Sequence, residues 1–259
     1  EPSASGHHMA LYVRAIVTAL RERGVTFGIL TEKESTQQKA FQMVVGEAEK
    51  GRNVYTMPSA SRSIKSNSIS LLLQQLDSWW ILRRAAKRTI SCFNPDVIYV
   101  PTVDWIEKAV ELLGSPFGKT SFVALYMSPS HHRMAMGLGP KSRQDWIYDK
   151  LFRKLLRIQS LKGVLAIDPY FVEYCRVKYK KNGRKVRYAP DFGQVKSGIF
   201  RAESRRNLEI KESDIVILVY GSLTLRKGVV ELLEGLLASQ NSAILCVILA
   251  GRPSKELRQ

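Results

Sequence analysis

Gly221-Ser222-Leu223-Thr224-Leu225-Arg226-Lys227-Gly228 is the segment best equipped for chemistry, because it sets glycines and two cations directly after the apolar run Ile215-Val216-Ile217-Leu218-Val219-Tyr220. The pattern predicts a buried strand, a short turn, and a helix that opens on the two cations and a glycine. A helix N-terminus presents unpaired N–H groups and the positive end of its dipole, so it attracts phosphate. Lys227 adds a point charge there, and Gly228 lets an anion come close to the backbone. A surface turn with two solvated cations has the same pattern, so the segment must be weighed with the rest of the chain.

A second charged group lies in residues 146–162. Lys150, Arg153, Lys154 and Arg157 recur at i, i+3, i+4 and i+7 and form one basic stripe, with Ile147, Tyr148, Leu151, Phe152, Leu155 and Ile158 on the opposite side. Such a helix can lie on an anionic membrane surface, each cation contributing about 1 kcal/mol near the lipid. It can equally pack its apolar side into a core and leave the charges solvated. Arg83, Arg84, Lys87 and Arg88, which follow Trp79-Trp80-Ile81-Leu82, point to the same kind of surface. The net charge of +17 attracts polyanions, whether nucleic acid, lipid or phosphorylated substrate, and does not choose among them.

The elements that must hold these residues are legible in the hydrophobic pattern. Val13, Ile16, Val17 and Leu20 mark one helix face, stopped by Gly24, and residues 25–30 then read as a strand. Helices are predicted over 38–50, 68–91, 104–113, 145–161 and 227–238. Strands are predicted over 97–100, 121–127, 164–167, 186–189, 215–220 and 244–250. Asn94-Pro95-Asp96 breaks the chain before the first of these strands, and Asp168-Pro169 forms an N-cap and N1 pair for a helix reaching Lys181. Short apolar strands alternating with amphipathic helices predict an α/β protein with a parallel sheet.

The polar segment 191–207 interrupts that rhythm. It divides a Rossmann-like N-terminal domain at 1–190 from the beginning of a second Rossmann-like domain at 208–259, with 191–207 as linker. The second domain is short for a complete half, and the chain opens in a loop that leads straight into a helix, so the sequence reads as a fragment. The apolar fraction of 45% fits a globular protein. No apolar run reaches the ~18 residues of a membrane span, and residues 1–6 lack the regions of a signal peptide. Cys92, Cys175 and Cys246 are far apart and read as buried thiols in a reducing compartment. The expected location is the cytoplasm, peripheral at the inner face of the membrane where the basic helix docks.

Taken in order, several segments resemble the family 4 glycosyltransferases of the two-domain GT-B type. Gly6-His7-His8 before the first helix, Gly24-Val25 and Leu30-Thr31 resemble the family's opening. Asn94-Pro95-Asp96-Val97-Ile98 resembles its entry to an inner strand, and Ser128-Pro129-Ser130-His131-His132 a histidine-bearing loop. Tyr188-Ala189-Pro190-Asp191-Phe192-Gly193 is a looser match to the crossing between domains. The run from Val219 to Gly228 is the most specific piece, followed by Leu249-Ala250-Gly251. Ser222 stands where the family often has arginine, with Arg226 beside the lysine as a substitute, and no paired-glutamate motif is present.

The resemblance implies a retaining transfer of a sugar from a nucleotide-sugar donor to a glycan or lipid-linked acceptor, with no cofactor and no metal. Gly221, Ser222, Arg226, Lys227 and Gly228 would stabilise the departing diphosphate, and the sequence has no D-x-D motif of the metal-dependent kind. His131 would hydrogen-bond the donor sugar or orient the acceptor hydroxyl. His132 reads as a solvent-exposed loop histidine. Gly6, His7 and His8 would form an acceptor-side loop, and Asp191 reads as a hinge residue. Competing readings are a basic module that binds nucleic acid or an anionic surface without catalysis, and a GT-B-like sugar-nucleotide epimerase. Against nucleic acid, the cations are not interleaved with a periodic aromatic set.

Overall fold

The computed structural model describes residues 6–37, 41, 53–59, 68–127, 129, 132–137, 143–190, 200–238 and 245–257. The chain divides into two compact units, Glu1–Gln194 and Val195–Gln259.

In the first unit, α1 (Gly6–Glu22) ends where Gly24 takes φ +64, and β1 (Ile29–Glu32) pairs in parallel with β2 (Val54–Met57). The strand begins later than its apolar run, because pairing starts where Ile29 N–H donates to the Asn53 carbonyl at 2.8 Å. The sequence pattern does not mark β2, which is four residues long and closes on buried Met57. The predicted helix at 38–50 lies outside the described residues except at residue 41.

The long helix α2 (Ser68–Phe93) buries Trp79, Leu82 and Ala86 at helical spacing, and its Trp79 indole N–H donates to the Gly114 carbonyl at 2.9 Å. Trp79 and Leu82 therefore serve the core, and only Trp80 of that aromatic pair faces solvent. Asn94 in the left-handed region (φ 47), followed by proline, ends the helix. A four-stranded parallel sheet follows in the order β3 (Val97–Val100), β4 (Ser121–Tyr126), β5 (Leu161–Ala166), β6 (Val186–Tyr188). Between its strands run α3 (Glu107–Leu113), α4 (Arg143–Arg157) and α5 (Pro169–Gly183). Phe122, Phe152, Leu155, Leu156, Leu161, Val164 and Phe171 are essentially inaccessible and form the centre of the core.

The second unit contains α6 (Arg201–Asn207), β7 (Ile215–Tyr220), α7 (Val229–Ala238) and β8 (Leu245–Ala250), with β7 and β8 paired in parallel. Residues 201–207, which read as linker, are helical; Arg205 there is buried and donates to the Asp214 carbonyl at 2.6 Å. Among the cysteines, Cys175 is buried, but Cys92 is exposed near the end of α2 and Cys246 is half-buried. For Cys92 the buried reading is corrected, since it falls on the solvent side of that helix.

Candidate functional site

The turn after β7 is held by the end of β8. Gly221 takes φ +90, and its N–H donates to the Ala250 carbonyl at 2.9 Å. The Leu223 N–H donates to the Arg252 carbonyl, and the Ser254 N–H donates to the Leu223 carbonyl, at 3.0 and 2.8 Å. Gly251 presses so closely on Gly221 that a Cβ there would lie 1.6 Å from the Gly221 carbonyl oxygen. Two strand ends are thus sewn together with no room for a side chain.

Beyond Leu223, which is buried, the chain makes a 3₁₀ turn at Leu225–Lys227. Gly228 then takes a left-handed conformation, φ 68 and ψ 27, before α7 begins at Val229. The expected helix opening at Lys227 is corrected accordingly: the left-handed glycine interrupts the helical path, so the two cations precede the helix. Lys227 is exposed, and its Nζ lies 3.2 Å from where a Gly221 Cβ would stand, so the ammonium folds back across the strand end. Ser222 is exposed, and the side chain of Arg226 lies outside the described residues. Thr224 Oγ1 and Ser254 Oγ are buried beside the turn without a hydrogen-bond partner among the described residues. Glu231 sits in the first turn of α7, where its carboxylate meets the positive helix end. The turn therefore offers phosphate one ammonium and a glycine backbone, with a carboxylate nearby that limits how negative a ligand it favours.

In the first unit, the parallel strands end at one edge, and polar side chains gather there. Asp104 Oδ2, on the loop after β3, accepts from the Met127 N–H and the Thr102 hydroxyl, both at 3.0 Å. Tyr126, the last residue of β4, donates its hydroxyl to Glu107, and Lys108 bridges Glu107 and Glu111 at 2.8 and 3.1 Å. Burial, and secondarily the neighbouring Glu107 carboxylate, push the Glu111 carboxyl up to about 9, while Lys108 opposes the shift. The ring of Tyr126 stacks on Phe152 and meets Phe171 edge-on, and Phe171 in turn faces His132 at 5.2 Å.

His132 is only 2% exposed, and its Nε2 lies 2.9 Å from Asp168 Oδ2. The reading of His132 as a solvated loop residue is corrected: Phe171 and the N-cap of α5 enclose it. Burial lowers its pKa, against the raising effect of Asp168, so the imidazole is neutral and donates Nε2–H to the carboxylate. Its Nδ1 is buried with no partner among the described residues. Asp168 Oδ1 simultaneously caps α5, accepting from the Tyr170 and Phe171 N–H groups at 2.9 and 3.2 Å. His132 thus ties the loop after β4 to the helix after β5. Sequence reasoning identifies Asp168 as a cap and misses this pair, although both residues follow neighbouring parallel strands. His131 lies outside the described residues.

Gly6, His7 and His8 belong to the first turn of α1, which corrects their reading as a loop; no proline or second glycine follows to delay the helix. The basic stripe of α4 is exposed at Lys150, Arg153, Lys154 and Arg157. Lys150 Nζ sits 3.6 Å from the centroid of the exposed Trp146 ring, and Arg153 lies 3.5 Å from Asp149. Phe152 and Leu155 of the opposite side are fully buried, whereas Ile147 is 46% exposed.

No protein-family model and no curated protein matches the sequence. Among solved structures the chain is similar to UGT89C1 of Arabidopsis thaliana. Its complex with quercetin aligns at 14% identity and a TM-score of 0.53, over 99% of this chain and 69% of that one. UGT89C1 without a named ligand aligns at 14% identity and a TM-score of 0.50, over 93% of this chain and 66% of that one. The same protein complexed with UDP-L-rhamnose aligns at a TM-score of 0.49 and 14% identity, over 97% and 65%. The chain therefore spans about two thirds of the length of the structures it matches, and its α/β fold with parallel sheets matches part of a GT-B glycosyltransferase fold.

Proposed function

We propose that this chain takes part in transferring a sugar from a nucleotide-sugar donor, with the donor diphosphate held at the turn after β7. The observation that carries the reading is Lys227 folded across Gly221, in a chain whose fold matches that of a glycosyltransferase. As the sugar–phosphate bond breaks, charge accumulates on the diphosphate, and a preorganised ammonium stabilises that charge more than the bound donor. Gly221 keeps the approach free of a side chain, and Arg226 is the second cation of the same turn. On the acceptor side, His131 orients the attacking hydroxyl, with the neighbouring His132–Asp168 pair as its anchor to the sheet. Retention at the anomeric carbon and a lipid-linked or glycan acceptor follow from the resemblance to family 4 and belong to the same proposal. So does contact of the α4 stripe with an anionic membrane surface.

Titration calorimetry with UDP, GDP and ADP tests the donor site directly. At least one diphosphate is expected to bind, and Lys227→Ala is expected to weaken it by about tenfold or more, as loss of one charge-assisted contact does. Because Lys227 is exposed, the same substitution should change stability by no more than about 0.5 kcal/mol. Equal binding by both proteins refutes the phosphate role. For a donor that supports turnover, the anomeric configuration of the first product tests retention, and hydrolysis or epimerisation without acceptor separates transferase from epimerase.

A further inference from the structure

At the opposite end of α5, four cations line an open cleft of about 600 Å³: Arg176, Lys180, Lys181 and Arg184. We propose that this cleft is a second anion site, which takes a phosphate-bearing group independently of the donor turn. The inference does not depend on the glycosyltransferase reading.

The backbone builds the cleft. Lys180 interrupts α5 with φ 48 and ψ −118, a conformation rarely adopted by a residue with a side chain. The chain then doubles back until Gly183 rests on the preceding helix. A Cβ at residue 183 would lie 1.9 Å from the Cys175 carbonyl oxygen, so only glycine fits. That return brings Arg184, which a straight helix would place about two turns beyond Arg176, back to the same recess, together with Lys181. A strained residue and a forced glycine together concentrate positive charge that would otherwise spread along the surface.

Charge neutralisation within the protein is small. Among the described residues, the one carboxylate within ion-pair distance of the four is Glu173, 3.5 Å from Arg176, and both side chains of that pair are more than half exposed. The negative end of the helix accounts for Lys180 and Lys181, which occupy its last turn. It accounts equally for Arg184, the C-cap residue, but not for Arg176, seven residues before the end of α5. Lys162 and Lys185 extend the positive field at the same edge: Lys185 Nζ donates to the Ile158 carbonyl at 3.1 Å, and burial and Lys162 lower its pKa. Arginine forks and lysine ammonium groups around one recess suit the several oxygens of a phosphate ester or diphosphate. The site lies apart from His132 and Asp168. α5 starts at the edge where β5 ends and finishes where β6 begins, so its regular stretch, Pro169–Tyr179, separates the two by about 16 Å.

The test compares the full chain with Lys181→Gln/Arg184→Gln, both positions being exposed, and with Lys227→Ala to remove the donor turn. Inorganic pyrophosphate is titrated calorimetrically. Vesicles of phosphatidylcholine, with and without phosphatidylglycerol, are assayed by co-sedimentation. A saturable pyrophosphate site is expected in the wild type and in Lys227→Ala, weakened about tenfold or more in the double variant. If phosphatidylglycerol vesicles also bind, and pyrophosphate competes with them, the natural source is a lipid headgroup; if the vesicles do not bind, it is a free phosphate ester. The proposal is overturned if the double variant titrates like the wild type, or if binding to either probe is unsaturable. Circular dichroism of the double variant is expected to match the wild type, and a double charge reversal, Lys181→Glu/Arg184→Glu, must lower affinity further still.

Discussion

Asp168 does two jobs with two oxygens, and separating them tests the anchor assigned to His132. Removing an N-cap costs about 1 kcal/mol. Leaving the buried Nε2–H of His132 without an acceptor costs about 1–3 kcal/mol. Asp168→Ala is therefore expected to destabilise the first unit by about 2–4 kcal/mol, towards the lower figure because the Asp168 side chain is 30% exposed and water can partly replace it. Asp168→Asn keeps the cap, since asparagine ranks beside aspartate there. Its amide can still meet Nε2, but only if the imidazole proton moves to Nδ1 and is buried without an acceptor, so a cost of about 1 kcal/mol is expected. Tryptophan fluorescence in a urea titration reads this cleanly, because Trp79, Trp80, Trp105 and Trp146 all lie in the first unit. The pH dependence has a definite sign. The folded pKa of His132 is below its unfolded value of about 6.5, so its contribution is complete above that pH and is lost as pH falls through the folded value. Asp168→Ala removes a group that raises this pKa, so its deficit relative to wild type should widen in acid. A cost no greater than a cap alone, unchanged by pH, refutes the anchor.

Glu111→Gln should flatten an opposite pH dependence. The Glu111 carboxyl titrates far above its unfolded value, so its contribution is present below that value and is lost as pH rises towards about 9. Wild-type stability is expected to fall by on the order of 1 kcal/mol per pH unit through that window, and a variant with the same slope would contradict the burial argument. Gly251→Ala drives a Cβ into the Gly221 carbonyl, so diphosphate binding should weaken at least as much as in Lys227→Ala, with about 1–3 kcal/mol of strain in the second unit. Tryptophan fluorescence should be unaffected, and diphosphate affinity equal to wild type would show that the two strand ends are not packed as described.

The alternation of apolar strands and amphipathic helices makes most of the sheet legible in the sequence: 97–100 and 215–220 coincide with β3 and β7 residue for residue. Asp168-Pro169 announces its helix because the cap and the proline act locally. What stays hidden depends on partners distant in sequence. β2 is too short to show a period, and its pairing with β1 spans a gap of more than twenty residues. The late start of α7 turns on backbone conformation at a single residue, Gly228. His132 reads as exposed because a pair of histidines in a polar loop has no hydrophobic pattern, whereas its burial is set by Phe171 and Asp168 on another element. The enclosure of Glu107, Lys108 and Glu111 is set by distant partners in the same way: the Lys108 N–H donates to Gln75 of α2 at 2.7 Å, Lys108 Nζ lies 4.3 Å from the centroid of the Tyr148 ring of α4, and Tyr126 donates to Glu107.

The two ends of α5 show why charge composition alone misleads and position does not. In a parallel α/β unit every strand points the same way, so residues that follow strands collect at one edge and residues that follow helices at the other. At the first edge the acids Asp104, Glu107 and Asp168 each accept hydrogen bonds from the chain, and Asp168 also pairs with a buried, neutral histidine. At the second edge four cations face a single carboxylate within ion-pair distance among the described residues, Glu173, and the helix carbonyls favour those of its last turn and cap. The net charge of +17 is thus an average over edges of different character. A perturbation that screens charge generally, such as added salt, acts on both edges at once; only paired substitutions at Lys181 and Arg184, set against those at Asp168, can assign anion binding to the second edge.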